Sequence, residues 1–298
     1  MIDQVDFSDL ANRAMTQADR SHMRPVIEKE LLHYDILFGL DRDGLLDELT
    51  FQGGTALRLC YGSPRFSENL DFTGGGDFSS ARLEGIKTSL EGYIGRRYGL
   101  EVRVRESAEL ENDPGYRGLH VDTWQLSITT APTRPDIPRQ RIKLEVANVE
   151  AYSRVPRSLN VNYDFLPDGY GDTLVLTETH DEIMADKLVS LVNTQRYVRH
   201  RDIWDLRWLK QQGATVNAEW VANKIKDYRI DDYGDKLDET RGRLPEIVHG
   251  ESFANEMSRF LPGAVQERTV KKPKFLNFLV SEIDGLLATV RKELQVGG

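Results

Sequence analysis

The chain has 298 residues, with 39 Lys+Arg against 48 Asp+Glu for a formal net charge of −9, and 39% of it is hydrophobic. That balance suits a globular protein with length for one large domain or two. It argues against a general nucleic-acid coat, although a local basic groove is compatible with an acidic total. No apolar run reaches the roughly 18 residues of a membrane span, and MIDQVDFSDL lacks the basic start and apolar stretch of a signal peptide. The single cysteine, Cys60, excludes an intramolecular disulfide and a multi-cysteine zinc site. A soluble, cytoplasmic chain without a membrane partner is expected.

The first 45 residues read as helical. Ser21 or His22 opens a helix through Pro25, with Val26, Leu31, Leu32, Ile36 and Leu37 near helical spacing. Leu49 to Gln52 reads as a short strand ending at Gly53-Gly54, followed by a helix over Thr55 to Tyr61. Asn69 to Thr73 is a second strand, closed by three glycines, and Ala81 to Tyr98 reads as helical. Strand patterns follow at Leu100–Arg105, His120–Thr129 and Arg141–Val149. Breaker-rich loops separate them at Asp113-Pro114-Gly115 and Ala131 to Pro138. Residues 151–176 read as an irregular connector, and from Thr179 the chain is mostly helical. The main boundary is placed near residue 165, giving a mixed α/β part over 1–165 and a helical part over 166–298.

Two glycines between a strand and a helix let the backbone approach a ligand closely. The free N–H groups of the helix start suit a phosphate. Taken alone, Gly53-Gly54 also reads as a plain turn, and the chain lacks the P-loop pattern. On a strand, Asn69 and Asp71 face one way and Leu70 and Phe72 the other. Oxygen donors at i and i+2 beside a phosphate-friendly turn suit a magnesium ion. Glu145 lies on a strand whose opposite face carries Ile142, Leu144 and Val146, so it joins Asp71 if the two strands are neighbours. A solvated strand face is the other reading of each carboxylate.

In the second half, Thr179 is placed to cap a helix with Asp181 and Glu182 in its first turn. Lys187, in the middle of that helix, reads by itself as a surface lysine. Asp202 and Asp205 are three apart and share a helix face, as do Trp204 and Trp208 at four apart. Arg196, Arg199, Arg201 and Arg207 form a local basic stretch suited to RNA phosphates. The run Lys271-Lys272-Pro273-Lys274 reads as a solvated loop. Cys60 reads as a small core residue. The histidines show no zinc-binding spacing.

Together, a hydrophobic–Gly–Gly turn, a hydrophobic–Asp–hydrophobic strand and a later hydrophobic–Glu–hydrophobic strand resemble the nucleotidyltransferase core of the DNA polymerase β type. More closely, GGTALRL with RFSENLDF resembles the AbiEii/AbiGii family of toxin nucleotidyltransferases, the MenT-like toxins, over roughly residues 50 to 210. The resemblance implies an α/β (α+β) fold with a mixed sheet, followed by a helical C-terminal domain. It implies transfer of a nucleoside monophosphate from an NTP to an acceptor, the tRNA 3′ end being the expected one, in a toxin–antitoxin or abortive-infection system with a cognate antitoxin. It places Mg²⁺ or Mn²⁺ on Asn69, Asp71 and Glu145, and the nucleotide on Gly53, Gly54, Thr55, Ser67 and Lys187. Lys187-Leu188 matches the family's helix lysine, and R-D-h-x-D-L over 201–206 its third motif. Asp205 is the expected catalytic aspartate, with Asp202 supporting it. One departure stands out: the family reads S-E-D-h-D where this chain has Ser67-Glu68-Asn69-Leu70-Asp71. An amide brings no charge, so a member that binds nucleotide, RNA or an antitoxin without turnover is the alternative reading.

Overall fold

The computed structural model describes residues 5–16, 20–107, 121–134, 136–194 and 197–296. The expected loop at 113–115, His120 and Arg196 lie outside the described residues. The chain divides into two compact units, 1–177 and 178–298.

The first unit is built on a mixed seven-stranded sheet. In chain order its strands are β1 (Thr50–Gln52), β2 (Leu70–Thr73), β3 (Val102–Ser107), β4 (Val121–Ile128), β5 (Gln140–Ala147), β6 (Val155–Ser158) and β7 (Leu174–Thr177). Their order across the sheet is β3-β4-β5-β2-β1-β7-β6. β2 runs parallel to β5 and β1 parallel to β7, and the other neighbours are antiparallel. The connector expected to be irregular supplies β6 and β7. Both are four residues long, too short for a periodic signal. Pro156 is tolerated in β6 because that strand lies at the sheet edge and needs no donor on its open side. Since β7 pairs with β1, the first unit runs on to Thr177, past the boundary expected near 165.

Helix α1 (Phe7–Met15) is capped by Asp6, whose carboxylate accepts from the Ser8 and Asp9 N–H groups. Helix α2 (Arg24–Arg42) starts with Pro25 in its first turn. It buries Glu28, Glu30, His33 and Asp35 among its apolar residues, and such groups are tolerated only when bonded. Glu30 receives a two-pronged ion pair from Arg58 at 2.7 and 3.0 Å, and Arg58 lies over the Phe66 ring. Burial alone would raise the Glu30 pKa, but Arg58 holds it below the usual value. Asp35 accepts from the Tyr98 and Tyr170 hydroxyls and faces Arg97 at 3.2 Å. Helix α3 (Gly53–Tyr61) carries Arg58 and the buried Cys60, whose thiol burial pushes up to about 12. The helix expected over 81–98 is divided: Gly85, at φ +104°, separates a 3₁₀ turn at Ser80–Leu83 from α4 (Ile86–Tyr98).

The second unit is helical: α5 (His180–Asn193), α6 (His200–Gln211), α7 (Ala218–Asp227), α8 (Tyr233–His249), α9 (Glu251–Phe260), α10 (Gly263–Arg268) and α11 (Pro273–Val296). α5 packs against α6, α7 and α8, and α11 against α6, α7 and α8. Trp204 and Trp208 are both buried in this packing.

Candidate functional site

In the first unit, the sheet sets Asp71 directly opposite Glu145 in the parallel β2–β5 ladder and opposite Gln52 in the antiparallel β1–β2 ladder. Side chains at paired positions lie on the same face, about 5 Å apart at Cβ. Leu70 and Phe72 are buried on the other face, while Asp71 and Glu145 are half-buried. Lys143, two residues along β5, reaches Glu145 at 3.7 Å.

The glycine turn is fitted closely to this pair. Gly53 adopts φ +74°, and a Cβ there would come within 2.8 Å of Asp71 Oδ2. The Asp71 carboxylate thus lies against the start of α3, where free N–H groups and the positive dipole end favour an anion. A Cβ on Gly54 would meet Arg65 Nη2 at 2.2 Å and Ser67 Oγ at 3.1 Å. Arg65 and Ser67 are buried, and Arg65 Nη1 donates to the Phe66 carbonyl at 2.7 Å. Thr55 is buried and its hydroxyl donates to the Asn69 carbonyl oxygen. Asn69 sits just before β2, and its Oδ1 accepts from the Lys143 N–H at 3.3 Å. Asn69 is therefore tied to α3 through its backbone and to β5 through its side chain. Glu68 pairs with Lys29 at 2.7 Å, and its carbonyl oxygen lies 3.0 Å from His33 Nε2. Burial pushes His33 down to about 4.

The donor chemistry fits a hard divalent cation: two carboxylates in register, with the Asn69 amide two residues before Asp71 in the chain. It is a sparse set, because the Asn69 oxygen already accepts a backbone N–H and carries no charge.

In the second unit, α5 and α6 bring Lys187, Asp202 and Asp205 together. Lys187 Nζ lies 2.9 Å from Asp202 Oδ1 and 2.8 Å from Asp205 Oδ2. Lys187 is 6% exposed, so it is not a surface lysine. Ser190 donates to Asp202 Oδ2 at 2.8 Å, and Arg199 faces the same oxygen at 3.6 Å. Burial works to raise the Asp202 pKa, but Lys187, Arg199 and the hydrogen bonds hold it well below the usual carboxylate range. Asp202 therefore stays ionised.

Residues 35–280 match the family model described as nucleotidyl transferase AbiEii toxin, type IV toxin–antitoxin system. The chain belongs to the AbiEii nucleotidyltransferase toxin family. Its fold is similar to that of MenT4, a nucleotidyltransferase toxin from Mycobacterium tuberculosis, with 17% identity, a TM-score of 0.55 and coverage of 96% of this chain and 99% of that one. JHP933 from Helicobacter pylori aligns over 91% of this chain and 94% of its own, with 17% identity and a TM-score of 0.47. No curated protein matches the sequence. Among the described residues no helix is long and apolar enough to cross a membrane.

Seen as an AbiEii member, the chain holds two features that its motifs do not announce. Ser190 fastens Asp202 from one turn beyond Lys187, a relation that helical spacing makes visible in hindsight. The other is Lys224 of α7, fully buried, with its Nζ 3.3 Å from Glu178, 2.8 Å from Glu182 and 2.9 Å from Asp186. These three carboxylates have the clustering of a metal site, but the Lys224 ammonium stands among them as the cation. Burial works to lower the Lys224 pKa, yet the three carboxylates raise it well above its usual value. Glu178, by burial and by the nearby Asp186, is pushed well above the usual carboxylate range. No sequence spacing links α7 to α5, so this cluster was invisible beforehand.

The arginines of the expected RNA-binding stretch are largely engaged within their own unit. Arg199 donates to Thr194 Oγ1 at 2.9 Å. Arg201 pairs with Glu256 at 3.4 Å and lies over the Phe260 ring. Arg207 lies over the Trp204 and Phe275 rings and donates to Gln211 at 2.6 Å.

Proposed function

We propose that the protein transfers a nucleoside monophosphate from an NTP to the 3′ end of a tRNA in a metal-dependent reaction, and so acts as the growth-arresting half of a pair opposed by an antitoxin in the cytoplasm. The observation that carries the reading is the register of Asp71 against Glu145 beside the glycine start of α3, in a chain matched by the AbiEii model. The Gly53-Gly54-Thr55 backbone offers N–H groups to the β- and γ-phosphates, with Ser67 beside the turn. The absence of side chains at Gly53 and Gly54 is what leaves room for the Asp71 carboxylate and for Arg65 and Ser67 beside the turn.

Asp71 and Glu145, with the Asn69 amide oxygen, would hold Mg²⁺ or Mn²⁺. When bound, the ion supplies positive charge that polarises the α-phosphate and acidifies the attacking hydroxyl. Lys187 is assigned to charge balance on the triphosphate, its ammonium lying between Asp202 and Asp205. Asp205 is assigned to orienting Lys187 or the nucleophile. Catalysis by this set is positioning and charge stabilisation, without a covalent enzyme intermediate.

Incubation with each labelled NTP, Mg²⁺ and total tRNA tests the proposal, with Asp71→Asn as the control. Nuclease-sensitive label that appears with the parent and not with the control is expected. Protease-sensitive label would move the acceptor to a protein, and no label with any NTP would reject the transferase reading. The bonding of Asn69 Oδ1 to the Lys143 N–H supports a second reading, a nucleotide- or antitoxin-binding member without turnover. Asn69→Asp separates the two: large activity gained by a silent parent favours the second, and loss or little change in an active parent the first.

A further inference from the structure

Arg199, Arg201 and Arg207 are partly engaged within their own unit, so an RNA acceptor would gain from a further electropositive surface. The second unit carries one at the junction of α10 and α11. There the chain reads Arg268-Thr269-Val270-Lys271-Lys272-Pro273-Lys274, four cations and no acid, in a protein of net charge −9. All four cationic side chains are exposed. Lys271 pairs with Glu267 at 2.6 Å, an exposed and therefore weak pair. Arg268 and Lys274 are in no ion pair among the described residues, and Lys272 acts on the same exposed Glu267 without a close contact to it. One turn along α11 from Lys274, on the same helix face, Phe278 is 48% exposed. Phe278 packs on Phe275, with ring centroids 6.2 Å apart, and Phe275 packs on Trp204 of α6 at 6.0 Å. The basic run is thus anchored to the helix that bears Asp202 and Asp205.

We propose that Arg268, Lys271, Lys272, Lys274 and Phe278 form the docking surface for the acceptor RNA. The cations lie on backbone phosphates, and Phe278 stacks on an unpaired base. This inference rests on the RNA-acceptor reading above. Unpaired nucleic acid offers both parts of the match, a dense line of negative charge and π-faces free to stack on an exposed ring. An anionic membrane surface would match the charge alone. A single exposed aromatic is a poor apolar face for interfacial binding.

The test is fluorescence anisotropy with labelled tRNA and a labelled single-stranded oligonucleotide, without NTP, from about 50 to 200 mM salt. The parent is compared with Lys271→Glu/Lys272→Glu/Lys274→Glu, with Lys274→Glu alone and with Phe278→Ala. Thermal melting checks the fold, and binding of a fluorescent ATP analogue serves as an independent site control. The triple variant is expected to bind tRNA at least tenfold more weakly at low salt, with the slope of log K against log salt shallower by about 2. Lys274→Glu alone should reduce that slope by somewhat less than 1. Phe278→Ala should weaken the single-stranded oligonucleotide about tenfold. Binding of the ATP analogue should not change. A parent that binds RNA while the triple variant matches it in affinity and slope overturns this inference and leaves the acceptor reading standing. A parent that binds no RNA, or only phosphatidylserine vesicles, overturns both.

Discussion

Replacing Lys224 with methionine removes the cation that stands among the buried Glu178 and Glu182 and the partly exposed Asp186. The side chains are close in length, so little volume is lost and the effect is electrostatic. Lys224 and Glu182 are fully buried and Glu178 likewise, with Nζ–O distances between 2.8 and 3.3 Å. Removing one partner of a buried pair costs about 3–5 kcal/mol, because the other charge is left uncompensated. Here three carboxylates are left, and proton uptake limits the damage. With Glu178 already raised well above the usual carboxylate range, the native variant would hold a proton that the unfolded chain does not, so its stability falls as pH rises through that range. The loss relative to the parent should therefore be about 3–5 kcal/mol near pH 8 and clearly smaller near pH 5. Urea unfolding followed by tryptophan fluorescence reports it, since Trp204 and Trp208 are buried in the second unit. Adding Glu182→Gln and Asp186→Asn to Lys224→Met should restore much of the stability, because removing both sides of a buried pair leaves less unpaired charge. A loss below about 1 kcal/mol, or one that does not change between pH 5 and 8, would refute the view of Lys224 as the resident cation of the cluster.

Asn69→Asp keeps an acceptor for the Lys143 N–H and adds a charge beside Asp71 and Glu145, so Mn²⁺ affinity should rise about tenfold by calorimetry, one more charged ligand being worth on the order of 1.4 kcal/mol; equal or weaker affinity contradicts the assigned donor set. Gly54→Ala should destabilise the first unit by about 1–3 kcal/mol through the 2.2 Å clash with the buried Arg65, measured by chemical denaturation, and a neutral result would show that Arg65 yields freely. His33 is held neutral, with its pKa lowered to about 4 by burial, while the unfolded chain protonates near 6.5. Its contribution is thus complete above pH 6.5 and is lost as pH falls toward 4, by up to about 3 kcal/mol, and His33→Gln should flatten that acid limb of the stability profile.

Much of the first unit's local geometry was legible because it rests on short-range rules. A strand alternates its faces, so Asp71 had to part from Leu70 and Phe72. A Gly-Gly step before a helix marks a close approach, which Asp71 Oδ2 and Arg65 Nη2 make at Gly53 and Gly54. The spacing of Asp202 and Asp205 likewise places both on the face that meets Lys187. The break at Gly85 and the two short strands were not legible, because four residues without a flanking motif carry too little periodicity; β7 is held by pairing with β1 and β6 by pairing with β7.

Chain order alone specifies a glycine turn, an Asp71 strand, a Glu145 strand, an aspartate pair on a helix, and an amide at position 69 in place of the family's acid. Folding adds that β2 lies beside β5 so that Asp71 meets Glu145, that the Asn69 oxygen accepts the Lys143 N–H, and that Lys224 stands among three carboxylates. It also turned the arginines of α6 inward and left the lysines before α11 exposed. The physical reason is common to all of these. Periodicity governs neighbours within one element, whereas strand order, helix docking and the pairing of buried charges depend on which distant segments share a core.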